Sequence, residues 1–254
     1  MSPLAISLVA FACIFGGMLL GMLLSAILPA KHLSAESKES LKLGIGMIAT
    51  LSALVLGLLI ASAKSNFDTM NNGLKQTGSR IILLDRVLAQ YGPETRESRD
   101  MLRQAVASSI KLRWPEEKIE PLVAQAGTGK ADIEAVQDKL RQIAPRTDAQ
   151  RLLQSQAFKV SDDIAEGRWL LLGQMGQSSI PMPFLIVLVF WLTVIFATFG
   201  LFSPRNLTVI VVLMVCALSV AGSLFLILEL DTPYAGLIKV SSAPLRYGLA
   251  QLGK

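Results

Sequence analysis

This chain has one histidine, two cysteines, few aromatic side chains (6%) and four stretches almost without charge. Each scarcity removes a class of function. His32 stands in a short polar loop with no cysteine or carboxylate cluster beside it, so it reads as a surface-loop residue rather than a metal ligand or catalytic base. Cys13 and Cys216 both lie inside apolar runs, where thiols serve as small packing residues, and no disulfide or metal spacing is present. Gly127-Thr128-Gly129-Lys130 falls short of a phosphate loop. Ala124 stands where the upstream glycine is needed, and Ala131 replaces the hydroxyl residue that holds magnesium, so the run reads as a turn. A nucleophile elbow, a zinc-binding motif and a dinucleotide fingerprint are all missing. No catalytic residue, cofactor or metal is expected, and the chain is not expected to be an enzyme.

What is present is apolar length. Of 254 residues, 52% are hydrophobic, and the mean hydropathy is +0.52. The excess is concentrated in four blocks, roughly 4–28, 43–63, 183–202 and 207–228. Each has the ~20 residues that cross a bilayer as a helix. Four transmembrane helices are therefore predicted, in an all-α fold. The first block has no basic leader and a run longer than a signal peptide's, so it is expected to stay as a span. No ionisable residue lies in the middle of any span, which argues against an ion-coupled pump but leaves a passive channel open.

The formal charge is +5 and the pI about 9.3. The basic residues do not cluster with aromatics, so nucleic acid is not an expected partner. Near the span ends, the side holding the termini carries Lys64, Lys75, Arg80, Arg168, Lys239, Arg246 and Lys254, against Lys31, Lys38, Lys42 and Arg205 on the other. This bias places the termini and residues 64–180 in the cytoplasm.

The stretch Leu41–Lys64 does not end at a membrane boundary. No proline lies between Leu41 and Tyr91, and Phe67, Met70, Leu74, Thr77, Ile81, Leu84, Leu88 and Tyr91 recur in steps of three and four. One helix is predicted to cross the membrane and continue as a stalk. Inside the span, Gly46, Thr50, Ala53, Gly57, Ala61 and Lys64 form a small, weakly polar row, while Ile48, Leu51, Val55 and Leu59 form a bulky side suited to lipid. The small row serves either helix packing or the lining of a pore axis; both turn it toward protein. A second small row, Ala10, Cys13, Gly17, Gly21 and Ser25, marks a packing face on the first span.

Residues 64–180 read as helical throughout. Gly92-Pro93 opens a helix to about Lys111, Trp114-Pro115 a shorter one to Gly127, and a third spans about 131–143. Thr147 and Gln150 fit a capping box for a long helix whose row Leu153, Ala157, Val160, Ile164, Leu171, Met175 mirrors that of 67–91. The two long helices are expected to pair antiparallel as extensions of the second and third spans. Ser203-Pro204-Arg205-Asn206 joins the last two spans as a tight hairpin, and 233–252, mixed apolar and basic, is expected on the membrane surface or docked on the stalk. The expected organisation is 1–63, a transmembrane hairpin; 64–180, a helical stalk domain inserted between the second and third spans; 181–228, a second hairpin; and 229–254, an interfacial tail.

The run IATLSALVLGLLIASAKSNFD at 48–68, with ELDTPYAGLIKVSSAPLR at 229–246, resembles the bestrophin-like domain family of bacterial membrane proteins. The order of features, two spans, a helical domain, two spans and a short tail, is similar as well. The resemblance implies kinship with bestrophins, pentameric anion channels whose second span lines the pore, and hence a homo-oligomer in lipid, in the bacterial inner membrane. On that footing the candidate axial residues are Gly46, Thr50, Ala53, Gly57, Ala61 and Lys64, and the candidate mouth charges Lys64, Asp68, Glu229 and Asp231. The leading expectation is a passive anion channel. The alternative is a non-conducting scaffold or sensor whose stalk binds a protein partner.

Overall fold

The computed structural model describes residues 2–28, 35–115, 132–175, 180–234 and 236–253. Among them are eight α-helices and no strand: α1 (Pro3–Ile27), α2 (Ala35–Tyr91), α3 (Arg96–Arg113), α4 (Ile133–Arg141), α5 (Asp148–Met175), α6 (Met182–Phe202), α7 (Leu207–Leu230) and α8 (Ala243–Gln251). Four of them, α1, α2, α6 and α7, are long and apolar enough to cross a membrane. The chain divides into two compact units, Met1–Phe67 with Ser178–Ile238, and Asp68–Gln177 with Lys239–Lys254. His32 and Gly127–Lys130 lie outside the described residues, as does nearly all of the short helix expected after Trp114.

In the first unit α1 packs on both α6 and α7. Its start is built as the sequence suggests: the Ser2 hydroxyl accepts the Ala5 N–H at 3.3 Å, and Pro3 takes the first helical position, where its missing N–H costs nothing. Ile14, Met18, Leu188, Leu224 and Ile227 are fully buried at the centre. Close approach of α1 and α6 depends on small residues. A Cβ on Gly17 would stand 2.7 Å from the Thr193 methyl, one on Gly21 would overlap the Ala197 carbonyl, and one on Gly200 the Met18 carbonyl. Most of the predicted row on α1 thus forms the contact, with Ala10, Gly17 and Gly21 buried. Cys13 departs from it and is exposed at the row's edge. Ser25, at the row's end, accepts a hydrogen bond from Arg205 at 3.1 Å, tying the α6–α7 hairpin to α1.

In the second unit α2 and α5 run antiparallel. Gly73 faces Leu171, Gly167 lies beside Thr77 and Arg80, Arg80 donates to the Asp163 carbonyl at 3.0 Å, and Gln150 donates to the Tyr91 carbonyl at 3.3 Å. The rows foreseen on the two helices face inward: Met70, Leu74, Ile81, Leu84 and Leu88 on α2, and Ala157, Val160, Ile164 and Leu171 on α5, are all buried. The α5 cap forms as Thr147 accepts the Gln150 N–H at 3.1 Å. Gln150 reaches one residue further back than a regular capping box, accepting the Arg146 N–H at 2.8 Å. Beyond α2 the chain reverses at Gly92, whose φ of +132° suits a residue without Cβ. Pro93 opens a single 3₁₀ turn and α3 follows; Thr95 donates to the Leu88 carbonyl at 2.5 Å and closes the end of α2.

Trp114 closes α3, and its indole N–H donates to the Val240 carbonyl at 3.0 Å. That bond helps dock the tail. Helix α8 lies against α2 where two glycines meet: a Cβ on Gly78 would be 2.7 Å from the Pro244 carbonyl, and one on Gly248 3.3 Å from the Gly78 carbonyl. Beside it, buried Asp85 receives Arg99 in a two-pronged pair at 2.7 and 2.9 Å. Hydrogen bonding to that carboxylate raises the Arg99 pKa against the opposing effect of burial.

Candidate functional site

Helix α2 presents three faces within its apolar stretch, one covered by the chain's own core and two left exposed. One face is the chain's own core: Ser52, Leu59 and Ala63 are buried, with Ile45, Ile48, Ala49, Val55 and Leu56 packed around them. This corrects the expectation that Ile48, Val55 and Leu59 face lipid. Side-chain bulk alone does not separate an intramolecular apolar contact from a lipid contact, because lipid tails are as apolar as leucine. The bulky exposed row is displaced around the helix to Leu43, Met47, Leu51, Leu54 and Leu58, which are 47–73% exposed. Leu51 alone of the predicted lipid face belongs to it.

The third face is the small row. Gly46, Thr50, Ala53, Gly57, Ala61 and Lys64 are all exposed, and a Cβ added at Gly46 or Gly57 would meet nothing within 4 Å. The described residues leave the whole row uncovered. Its single hydroxyl, on Thr50, donates to the Gly46 carbonyl at 2.9 Å, so the row carries no unsatisfied donor into an apolar setting. Lys64 closes the row, its ammonium 5.8 Å from the centre of the Phe67 ring. Of the four helices long and apolar enough to cross a membrane, α2 is the least covered by the described residues: 11% of its apolar stretch is buried, against 39% in α1.

The expected mouth charges separate. Lys64 is exposed and Asp68 half-buried on α2; half-buried Asp231 caps α7. Glu229 is turned inward at 4% exposure, where its Oε2 accepts the N–H groups of Leu237 and Ile238 at 2.6 and 3.3 Å. Gly236, at φ +90°, passes so close that a Cβ there would overlap the carboxylate. The arrangement makes Glu229 the anchor of the 236–238 turn. A negative charge in an apolar-to-polar sequence transition looks alike whether it faces water or a ring of backbone amides, so sequence reasoning missed this role.

Sequence reasoning also passed over the polar residues that organise the second unit, Asp85, Arg99 and Arg103. The signal was present in the spacing of Arg96, Arg99 and Arg103, three and four apart, which places them on one face of α3. Among the described residues, no group of histidine, cysteine and carboxylate side chains is arranged to hold a metal ion.

The family model for the bestrophin-like domain matches residues 12–245, nearly the whole chain. No curated protein and no solved structure matches it.

Proposed function

The chain belongs to the bestrophin-like family, and on that premise we propose that it forms an oligomeric channel passing ions passively, with α2 at the axis. Anion preference and five-fold assembly are the parts of this reading taken from kinship with bestrophins. The observation that carries it is the uncovered small face of α2, Gly46 to Lys64, on the spanning helix that its own chain buries least. Small side chains let copies of the helix stand close around an axis while leaving room along it. Lys64 at the end of that face favours an anion over a cation there. Kinship with the family supports a bacterial inner-membrane location, and the charge bias of the loops supports termini and 64–180 in the cytoplasm. The reading is of a channel, not an enzyme.

Reconstitution in liposomes, with chloride flux and single-channel recording on particles of verified oligomeric state, tests the proposal. Conductance supports it; a verified oligomer that conducts nothing overturns it. Cysteine labelling refines the test in a background lacking Cys13 and Cys216. A water-soluble reagent is expected to modify cysteine at 46, 50 and 57 but not at 47, 54 and 58. Protection of both rows, together with absent flux, favours the scaffold or sensor reading. That reading has its own support in α5, where Trp169 and Leu170 stand 62% and 60% exposed side by side and suit a protein partner.

A further inference from the structure

Apart from the α2 face, the second unit holds a polar cavity of about 200 Å³ lined by Asp85, Arg96, Arg99, Asp100, Arg103 and the chain at Leu252–Gly253. Its charges are unequally matched. Asp85 is saturated: it takes both prongs of Arg99 and the Gly253 N–H at 3.1 Å, so Arg99 and Asp85 cancel. Arg103 gives one N–H to the Leu252 carbonyl at 3.1 Å, while its Nε is buried and has no acceptor among the described residues. Among the described residues, neither Arg103 nor Arg96 has a carboxylate within ion-pair distance.

A partly buried guanidinium without a counter-ion, carrying a donor sealed from water, is an unfavourable arrangement unless an anion completes it. The guanidinium fork fits the oxygens of a tetrahedral oxyanion, donating from two nitrogens at once. Three arginines line the cavity against two aspartates, an excess of one positive charge that calls for an anion. Asp100, exposed at the rim, opposes any anion and tunes the affinity downward.

We propose that this cavity binds a phosphoryl oxyanion, held by Arg103 and Arg96, with Arg99 fixed beside them by Asp85. The inference is independent of conduction.

Isothermal titration of the purified full chain with inorganic phosphate, at low salt, is expected to show saturable binding of one phosphate per chain. Arg103→Gln is expected to weaken it at least tenfold, and Asp100→Asn to tighten it several-fold. Because Arg103 also holds Leu252, the critical variant is Arg96→Gln, whose exposed side chain makes no hydrogen bond within the described residues. It is expected to fold normally and still lose several-fold in affinity. Competition by ADP identifies a soluble phosphoryl ligand, and competition by phosphatidic acid micelles a lipid headgroup; each keeps the site. Absent saturable binding in the unmodified protein, or unchanged affinity in Arg96→Gln, overturns the proposal.

Discussion

At the scale of single residues, buried polar groups divide into those the fold satisfies and those it leaves unmatched. Asp85 is satisfied three times, and breaking its pair strands a guanidinium. Asp85→Asn is expected to cost about 2–3 kcal/mol, below the usual figure for a fully buried pair because Arg99 keeps partial contact with water. Thermal unfolding in detergent checks this. Tyr91 is the opposite case: its side chain is buried and its hydroxyl has no partner among the described residues. Tyr91→Phe should therefore stabilise by about 1 kcal/mol. Burial, reinforced by Glu94 and opposed by Arg146, raises the Tyr91 pKa above its ordinary 10.0. The unfolded phenol ionises first, so the stability tied to the neutral form is present below about pH 10 and is lost as the pH rises beyond it. An alkaline titration of stability is expected to fall less steeply in Tyr91→Phe than in the parent. None of these burial states can be read from residue type, because Asp, Arg and Tyr occupy both surface and interior.

Helices and their faces form the next scale, and here glycine separates two kinds of contact. Gly21→Ala places a methyl on the Ala197 backbone, which cannot yield as a flexible side chain would. Overpacking of this kind costs about 1–3 kcal/mol, measurable as a lower unfolding temperature. Gly57→Leu meets nothing within its own chain, so the folding of the individual chain is expected to stay within about 0.5 kcal/mol of the parent's, as for an ordinary surface change. If α2 stands at an axis, the same substitution closes it and abolishes flux. A variant that folds, assembles and still conducts like the parent would contradict the axial placement. Periodicity predicted the inward rows of α2 and α5 because an amphipathic stalk contrasts apolar with polar. It misassigned the faces of the α2 span, where core and lipid draw on the same residues.

For the whole molecule, the two units share one chain that passes between them three times, at 67–68, 177–178 and 238–239. The last passage gives the tail a structural task in the second unit, where Val240, Leu245, Leu249 and Leu252 are buried. At about 1.5–3 kcal/mol for each buried aliphatic side chain, their removal rivals the 5–15 kcal/mol that holds a typical domain together. Deleting 239–254 also takes the acceptor from Trp114 and one donor from Asp85. The truncated protein is expected to insert its spans but to expose 68–177 to limited proteolysis, compared by cleavage rate with the full chain.

By itself the sequence determined the four spans, the unbroken helix from the second span to Tyr91 and the family, since length, hydropathy and the absence of proline act locally and need no partner. Tertiary structure alone decided that Glu229 anchors a turn, that Trp114 and Asp85 hold the tail, and which side of α2 the chain leaves bare. Those outcomes depend on which residues, distant in the chain, arrive opposite one another, and such meetings leave no periodic trace in either partner.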